Sequence, residues 1–459
     1  MAERLFGTDG VRGRAGSYPL DARTIRRLGA ALVQALSHAV PNPAAALEAG
    51  PHGRRLRLLV GRDTRESGEW IERELARGAG SQGAVVSSVG VLSTPAIAYL
   101  TCSVPFDAGL VISASHNPFE DNGIKILSGA GGKLSGRLEA EVERIMAGPW
   151  DVPEDAAVEV ERVDLADRYM AHVRTALRAP GRLGPLRLAV DCANGATSEL
   201  APRLFRELGF DVLALSCAPD GRNINLNCGS THPQNLAAAV RRHRCRLGVA
   251  FDGDGDRAIF VDAEGRVVDG DAVMLLCAKQ LKATGRLRGD AVVATVMSNM
   301  GLEIALRELG IDLVRCAVGD KYVTEEMIAR NLALGGEQSG HIIFSDFLFT
   351  GDGLITALQV LDAMAAAGCE LADLAGELRA CPQVLLNVRV ARKVDLTQVP
   401  DVAALITAVE RDLGNRGRLL VRYSGTEPVL RVMLEGPDSI AIRRWAEEIA
   451  SAVRRRLGN

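Results

Sequence analysis

The sequence lacks an apolar run of the length needed to cross a bilayer, about 18 residues, which argues against a membrane-spanning protein. It has no block of lysines and arginines, and its formal net charge is only −3, so neither nucleic acid nor a membrane surface is expected as the main partner. The nine cysteines form no CxxC pair, and no basic and then apolar leader opens the chain. We therefore expect a reduced, cytoplasmic protein that acts on a small molecule.

An internal repeat divides the chain. With 459 residues it is too long for one hydrophobic core, and about three or four domains are expected. Three segments share the order strand, loop, helix, strand, and they begin at Leu56, Leu186 and Ala291. Two of them carry similar stretches, Arg206–Asp211 and Arg307–Asp312. The alternation predicts mostly parallel sheets with right-handed crossovers, although α/β proteins in general share this pattern.

The pattern changes after Pro382, where strand pairs and two helices predict a smaller α+β domain. The stretch Ala147–Pro153 is typical of a linker, and Pro41–Arg55 of an insertion loop. The predicted fold is therefore α/β, with three similar mixed-sheet α/β domains and a smaller C-terminal α+β domain around a central cleft. The predicted domains are residues 1–158, 159–266, 267–378 and 379–459.

Ser115 lies in a polar loop that directly follows an apolar run. The segment Val111–Glu120 places its hydroxyl beside His116 and ahead of Lys125. Such a hydroxyl can carry a covalent intermediate when nearby groups offset the charge that forms. Serine, asparagine and proline also build ordinary turns, so for this loop alone a structural turn is the alternative.

Three aspartates, Asp252, Asp254 and Asp256, alternate with glycines. Their carboxylates would repel each other without a cation, and the glycines let the backbone curl around a small hard ion such as Mg²⁺. A calcium EF-hand is excluded, because its loop needs glycine and glutamate where Arg257 and Ala263 stand. A solvated acidic turn is the alternative.

Two further loops are rich in polar side chains. The segment Arg422–Arg431 gathers two guanidiniums and two hydroxyls, which suits a phosphate dianion, although a tight turn with incidental arginines is the alternative. The glycine-rich segment Gly335–His341 could bind sugar hydroxyls through Glu337 and Ser339, but glycine-rich turns are common. One such loop in each predicted domain indicates a single central cleft.

In this order and over essentially the whole chain, the four loops resemble those of the α-D-phosphohexomutase superfamily. Its amino-sugar branch is the most similar, on the segments Phe6–Gly13, Asn223–Asn225, Cys228–Thr231, Val318–Tyr322 and Glu337–Ser339. Mannose- and glucose-directed relatives more often carry methionine or glutamate at the position of Gln338. Two departures are Lys321, where arginine is common, and Tyr423, where proline is common.

The resemblance implies an isomerase that interconverts glucosamine 6-phosphate and glucosamine 1-phosphate through phosphoserine at Ser115 and a bisphosphorylated sugar. Such an enzyme would supply UDP-N-acetylglucosamine and peptidoglycan precursor synthesis. The resemblance also implies one Mg²⁺ per active site, held by Ser115, Asp252, Asp254 and Asp256. It is compatible with a sugar 1,6-bisphosphate as activator, with a kinase that first phosphorylates the serine, and with a homodimer.

The superfamily's functional positions fall on two groups of residues in this sequence. The catalytic group is Ser115, His116, Lys125, Arg257 and His341, where His341 could equally be a buried structural histidine. The substrate-binding group is Arg12, Lys321, Glu337, Ser339, Arg422, Ser424, Gly425, Thr426 and Arg431.

Three other functions compete with this interpretation. A phosphomannomutase or phosphoglucomutase of the same superfamily would share all four loops. A Mg²⁺-dependent sugar-phosphate binding protein without catalysis would not need Ser115, and the complete aspartate triad also argues against it. A serine hydrolase is disfavoured because no GxSxG elbow surrounds Ser115.

Overall fold

The computed structural model describes residues 5–7, 9–38, 55–424 and 428–458. The protein divides into two compact units, one of Met1–Val296 with Leu313–Gly376 and the other of Met297–Asp312 with Glu377–Asn459. Of the predicted insertion Pro41–Arg55, all but Arg55 lies outside the described residues. Within the described ranges, no helix combines the length and the apolar character needed to cross a membrane.

The first sheet has six strands and four accompanying helices. Its strands are β1 (Val11–Arg14), β2 (Arg57–Arg62), β3 (Val85–Val91), β4 (Ala108–Ile112), β5 (Asp121–Ser128) and β6 (Val160–Arg162), in the spatial order β1-β5-β4-β2-β3-β6. The helices are α1 (Ala22–His38), α2 (Gly68–Ser81), α3 (Thr94–Ser103) and α4 (Gly136–Met146). Helices α1 and α2 approach closely at Gly78, where a Cβ atom would overlap the carbonyl oxygen of Arg26.

The second sheet has five strands in the spatial order β11-β10-β9-β7-β8. Its strands are β7 (Arg187–Asp191), β8 (Asp211–Leu215), β9 (Leu247–Phe251), β10 (Ala258–Asp262) and β11 (Val267–Val268). The helices here are α5 (Ala166–Arg174), α6 (Leu200–Glu207) and α7 (Gln234–His243). Strands β7 and β9 are buried along nearly their whole length, as expected for central strands covered on both faces.

The third sheet has four strands in the spatial order β13-β12-β14-β15. They are β12 (Ala291–Thr295), β13 (Asp312–Cys316), β14 (Leu334–Gly336) and β15 (Ile342–Phe344). The helices in this part of the chain are α8 (Gly270–Ala283), α9 (Met300–Glu308), α10 (Asp320–Arg330), α11 (Gly353–Ala367) and α12 (Leu371–Ala375). Helix α9 belongs to the second compact unit, where its N-cap Asn299 exchanges two hydrogen bonds with the backbone of Cys381.

The fourth sheet is small and wholly antiparallel. Its strands β16 (Gln383–Arg389), β17 (Arg418–Tyr423) and β18 (Val429–Glu435) lie in the order β16-β18-β17, and its helices are α13 (Pro400–Leu413) and α14 (Ser439–Leu457). Short 3₁₀ helices occur at Pro180–Leu183, Arg288–Asp290, Leu396–Gln398 and Gly414–Arg416. Helix α14 packs an apolar stripe on the sheet, with Ile442, Ala446, Ile449 and Val453 fully or almost fully buried, which is the helical spacing of a core-facing surface.

The α/β class with a smaller C-terminal domain is confirmed. The second strands of two repeats lie where the sequence predicts them, at Asp211–Leu215 and Asp312–Cys316. The centres of the first two sheets are parallel, and β12 and β14 are parallel too, as the alternation predicts. Each of these three sheets also contains an antiparallel pair, so the sheets are mixed. The domain boundaries stay predictions; β6, which follows the predicted boundary at residue 158, pairs with β3 of the first sheet.

Candidate active site

Each of the four polar loops connects two antiparallel neighbouring strands. The loop of Ser115 joins β4 to β5, and the loop of Asp252, Asp254 and Asp256, here called the aspartate loop, joins β9 to β10. The loop of residues 337–341, here called the sugar loop because its residues are predicted to bind sugar hydroxyls, joins β14 to β15. The loop after Arg422 joins β17 to β18. A reversal between antiparallel strands leaves its backbone at the sheet edge, so polar side chains there can face a ligand while the strands stay in the core.

Ser115 faces the aspartate loop. The residue is buried and has a backbone φ of 52°, in the left-handed region that serine rarely adopts. Its Oγ donates a hydrogen bond of 2.6 Å to Asp252 Oδ2 and lies 3.3 Å from His116 Nδ1. The structure therefore brings together the hydroxyl and the acidic loop, which are 137 residues apart in the chain.

Asp252, Asp254 and Asp256 form one buried cluster whose carboxylate oxygens lie within 4.8 Å of one another. Burial, with the neighbouring carboxylates of Asp256 and Asp254, raises the pKa of Asp252 well above its usual value. Within the described residues, one buried oxygen of Asp254 and one of Asp256 have no hydrogen-bond partner. These orphaned acceptors fit a divalent cation, and three carboxylate oxygens are the ligand type that Mg²⁺ prefers.

Lys125 neutralises part of this negative charge. Its Nζ lies 2.8 Å from Asp254 Oδ2, 3.3 Å from Asp9 Oδ2 and 3.6 Å from Asp256 Oδ2. Burial lowers the pKa of Lys125, but Asp254 and Asp9 outweigh this effect and raise the pKa well above its ordinary value. The ammonium group therefore stays charged and can contact an anion beside Ser115.

Two residues at this cluster were not predicted from the sequence. Asp9 binds Lys125 and also pairs with Arg12, and Thr94 Oγ1 donates a 2.6 Å hydrogen bond to Asp254 Oδ2. Asp9 lies inside the Phe6–Gly13 segment, which could have suggested a role. Thr94 carries no such signal, because threonine at the start of a helix is an ordinary residue there.

Arg12, Arg257 and His116 lie around the contact between the Ser115 loop and Asp252. Arg12 Nη1 donates to the carbonyl oxygen of Ala114 at 3.4 Å, and the backbone N–H of Arg257 donates to Asp252 Oδ1 at 3.1 Å. Burial, followed by the charges of Arg257 and Arg12, lowers the pKa of His116 to about 4. At neutral pH the His116 ring is therefore uncharged.

His341 approaches the cluster from the sugar loop. Its Nδ1 lies 3.6 Å from Asp256 Oδ2, and the N–H of Gly351 donates to Nε2 at 3.2 Å. The nearby carboxylates of Asp256 and Asp320 favour a protonated ring, whereas the Gly351 N–H favours a neutral ring with its proton on Nδ1. Both influences direct the Nδ1 proton toward Asp256.

Elsewhere in the sugar loop, the Glu337 carboxylate accepts two hydrogen bonds. Glu337 accepts hydrogen bonds from the N–H of Gly319 at 3.2 Å and from the Ser339 hydroxyl at 3.2 Å. Gln338, on the same loop, donates to Asp269 at 3.1 Å and does not share these bonds. Glu337 and Ser339 are thus a connected pair that is only partly buried, as required for contact with a ligand.

A cavity of about 320 Å³ lies beside these groups in the first compact unit. Its charged lining is Asp9, Lys125, Lys133, Asp256, Asp320, Lys321 and Glu325. Lys133, which was also not predicted, reaches both Asp9 Oδ1 at 2.9 Å and Asp320 Oδ1 at 2.7 Å. The cavity therefore combines charges of both signs with apolar walls at Leu127, Leu134, Ile328 and Phe349.

The loop after Arg422, which is predicted to bind phosphate, lies in the second compact unit. Arg422 and Arg431 stand directly opposite each other on β17 and β18, and burial together with the Arg431 charge lowers the pKa of Arg422. The buried Ser424 follows β17, and its carbonyl oxygen accepts a 2.6 Å hydrogen bond from Lys393 Nζ. Gly425 and Thr426 lie outside the described residues.

Four protein-family models match the chain in order. They are described as phosphoglucomutase/phosphomannomutase alpha/beta/alpha domain I at residues 3–149, domain II at 167–265 and domain III at 269–380, and as the C-terminal domain at 385–452. A solved phosphoglucomutase/phosphomannomutase family protein from Burkholderia thailandensis is 25% identical, with a TM-score of 0.80, and the match covers 99% of this chain and 98% of that one. The chain belongs to the phosphoglucomutase/phosphomannomutase family, within the α-D-phosphohexomutase superfamily.

Two full-length relatives narrow the assignment. A phosphoglucosamine mutase of Solibacter usitatus (strain Ellin6076) is 48% identical over 100% of both chains. One of Syntrophotalea carbinolica is 47% identical over 100% of this chain and 99% of its own. Within the family, the chain therefore groups with the phosphoglucosamine mutases, and the mannose- or glucose-directed alternative is not favoured.

Proposed function

We propose that this isomerase interconverts glucosamine 6-phosphate and glucosamine 1-phosphate by passing a phosphoryl group through Ser115. The observation that carries the proposal is the 2.6 Å contact between Ser115 Oγ and Asp252 in a buried three-carboxylate cluster. A hydroxyl at such a cluster is placed for phosphoryl transfer rather than for hydrolysis of an ester. The names of the full-length relatives support the amino-sugar substrate.

In the first half-reaction, phosphoserine 115 gives its phosphoryl group to the free hydroxyl of the sugar phosphate, and that hydroxyl loses its proton. The resulting bisphosphorylated sugar turns around in the site. In the second half-reaction Ser115 Oγ takes the other phosphoryl group, and the sugar oxygen that is released regains a proton. One phosphoryl group enters and one leaves, so the enzyme ends in its starting state.

Asp252, Asp254 and Asp256, with an oxygen at Ser115, would hold one Mg²⁺, which when bound offsets the negative charge that develops during the transfer. Lys125 stays protonated between Asp254 and Asp9 and supplies a second positive charge beside the serine. The Arg12 guanidinium donates to the carbonyl oxygen of Ala114, next to the serine, and the Arg257 guanidinium lies 4.0 Å from Asp252 Oδ2. His116 and His341 are the candidates for moving the sugar hydroxyl's proton, because they are titratable groups near Ser115 or the carboxylate cluster. Lys125 would act through its charge.

The parts of the substrate that do not react, its sugar hydroxyls and its second phosphate, require two kinds of contact. Glu337 would accept hydrogen bonds from sugar hydroxyls, and the Ser339 hydroxyl would donate to them or accept from them. Lys321 lies at the cavity wall. Arg422, Ser424, Gly425, Thr426 and Arg431 would bind the phosphate that is not reacting, so that one pocket serves both orientations of the intermediate.

The resting enzyme needs a phosphoryl group on Ser115 before it can turn over. We propose that a sugar 1,6-bisphosphate restores the phosphoserine when it is lost, with first phosphorylation by a kinase as the other source. We further propose a cytoplasmic location and a homodimer.

The experiment that tests the proposal compares substrates in one coupled assay. Glucosamine 1-phosphate is expected to give a higher kcat/KM than glucose 1-phosphate or mannose 1-phosphate, and Ser115→Ala is expected to abolish turnover without loss of the folded state. Intact-mass measurement of the purified protein is expected to show one added phosphoryl group that the variant lacks. Near-normal turnover by Ser115→Ala would refute the mechanism, and preference for glucose or mannose phosphate would refute the substrate assignment.

A further inference from the structure

Arg65 is a fully buried arginine whose donors converge on the Ser115 loop. Its Nη2 donates to the carbonyl oxygens of Ser115 at 3.0 Å and Asn117 at 2.9 Å. Its Nη1 donates to the carbonyl oxygens of Asp121, at 3.0 Å, and Pro118. One guanidinium therefore ties together the carbonyl oxygens of four residues in the segment that carries the serine.

Asp63 fixes this guanidinium and reaches the same loop by a second route. Asp63 Oδ2 accepts from Arg65 Nε at 2.9 Å and from the Ser113 hydroxyl at 2.5 Å. The Ser113 oxygen in turn accepts the N–H of Ser115 at 2.9 Å. The Arg65–Asp63 ion pair therefore binds the carbonyl oxygen of Ser115 directly and its N–H through the Ser113 hydroxyl.

Asn225, in the connection between β8 and α7, also contacts the Ser115 loop. Its Nδ2 donates to the carbonyl oxygens of Ser115 at 2.9 Å and Asn117 at 3.1 Å, the same two acceptors that Arg65 Nη2 uses. The N–H of Asn225 is itself held by the carbonyl oxygen of Ala193 at 2.8 Å. Two donors from separate segments, 160 residues apart in the chain, therefore bind the same pair of oxygens.

We propose that Arg65 and Asn225 are positioning residues that hold Ser115 in its left-handed conformation and so keep its Oγ on the aspartate cluster. This inference rests on the proposed function and adds two residues to it. The physical reason is that a buried carbonyl oxygen needs donors, and here the donors are available only while Ser115 keeps a backbone conformation that serine rarely adopts. Loss of a donor lets the loop relax and moves Oγ away from Asp252.

Asn225 offers the sharper test because its variants change few atoms. In Asn225→Ala, kcat is expected to fall on the order of 10- to 100-fold, the penalty of a displaced reacting group, while KM for glucosamine 1-phosphate stays near the wild-type value. Asn225→Asp has almost the same shape but presents a carboxylate to two carbonyl oxygens, so its kcat is expected to fall further. A role that depended only on filling space would not distinguish the variants in this order.

Asn223→Asp is the matched control. Asn223 also donates its Nδ2 to a backbone carbonyl oxygen, at 2.9 Å, but that oxygen belongs to Ala218 in its own loop. The control is expected to keep the wild-type kcat. Arg65→Lys is a second test variant, because lysine keeps the charge but cannot reproduce the planar set of donors.

Hydrogen exchange gives a readout that does not depend on turnover. In protein without Mg²⁺ or sugar, the peptide that spans residues 113–121 is expected to exchange faster in Asn225→Ala than in the wild type and in Asn223→Asp. Unchanged exchange, or an unchanged kcat in both Asn225 variants of an active enzyme, would overturn the inference. If the wild type shows no mutase activity, the proposed function fails, and the exchange rates alone still decide whether Asn225 holds the loop.

Discussion

The Thr94 hydroxyl donates a 2.6 Å hydrogen bond to Asp254 Oδ2, although 160 residues separate the two in the chain. The Thr94 N–H also donates to the carbonyl oxygen of Asp254, at 2.9 Å. The start of helix α3 therefore fixes both the side chain and the backbone of one candidate metal ligand. The other oxygen of that carboxylate, Oδ1, is buried without a hydrogen-bond partner among the described residues, so it is available to a cation.

Thr94→Val removes the hydroxyl and keeps the side-chain shape, so the orientation of Asp254 is expected to loosen. Groups that orient metal ligands typically contribute about 10- to 100-fold in metal affinity. We therefore expect the Mg²⁺ concentration for half-maximal activity to rise by a factor in that range, with a parallel loss in direct Mg²⁺ binding by calorimetry. Thr101→Val, on the same helix and also buried, should leave Mg²⁺ binding unchanged, and equal effects of the two variants would contradict the prediction.

Gly253 lies between two of the aspartates and packs directly under the serine loop. A Cβ atom at this position would lie 2.5 Å from the carbonyl oxygen of Ser115 and 2.9 Å from Asn225 Nδ2. Because backbone atoms cannot swing aside as a flexible side chain can, Gly253→Ala must push the two loops apart. We expect kcat to fall on the order of 100-fold.

The control for Gly253 is Gly80→Ala, in helix α2, where the nearest atom to an added Cβ is 3.9 Å away. That variant should keep full activity and gain some stability, because alanine is the better helix former. Steady-state kinetics with thermal unfolding of both variants checks the prediction. A Gly253→Ala enzyme with wild-type kcat would show that the spacing of the two loops does not matter.

Arg422 and Arg431 face each other across an antiparallel strand pair, an arrangement that costs stability when both side chains carry like charge. A phosphate dianion between them would reverse that cost. Inorganic phosphate is therefore expected to raise the Tm of the wild type more than that of Arg422→Gln, since a ligand stabilises by its affinity for the folded state. KM for the sugar phosphate should rise in this variant with a smaller effect on kcat.

Differential scanning fluorimetry over a phosphate titration measures this difference. Arg411→Gln, at an exposed position on helix α13, serves as the charge-matched control and should respond to phosphate as the wild type does. An Arg422→Gln protein that phosphate stabilises fully would show that the dianion binds elsewhere.

The elements of the repeats could be predicted from the sequence because each rests on local pattern. The strand Asp211–Leu215 follows a glycine-terminated helix end, and its twin Asp312–Cys316 follows a nearly identical one. The antiparallel strands that extend the three repeat sheets could not be predicted in this way, because a short buried strand has the same apolar pattern in parallel and antiparallel pairs. The antiparallel reversals at the first three loops are therefore a result of the structure alone.

The residues of the candidate site also differ in whether the sequence could identify them. Ser115 and the three aspartates stand out by residue type and spacing, and the resemblance to a known superfamily connects them. Thr94 and Arg65 could not be identified from the residues, and Asn225 only as part of a segment that carries the resemblance, because the donor of each meets its acceptor only in the folded chain. Threonine at a helix start and asparagine in a loop look the same whether or not such an acceptor is present.

Asp352, at the start of helix α11, links stability to pH. It caps helix α11 by accepting the N–H groups of Leu354 and Ile355, and it accepts the Tyr169 hydroxyl at 2.8 Å. Burial raises the pKa of Asp352 from 3.8 to about 6. A raised pKa in the folded state favours the protonated form, so this contribution to stability is complete below pH 3.8 and is lost as pH rises through about 6.

The Tm of the wild type relative to that of Asp352→Asn is therefore expected to fall between about pH 4 and pH 6.5, because the amide does not titrate. The full change corresponds to a free energy on the order of 3 kcal/mol, at 1.36 kcal/mol for each pKa unit. Asp438→Asn is the control, since Asp438 caps helix α14 in the same way but is exposed, and its Tm difference should change less over this range. A difference for Asp352→Asn that is flat with pH, or that grows as pH rises, would mean that the folded protein holds this carboxylate ionised through its three donors.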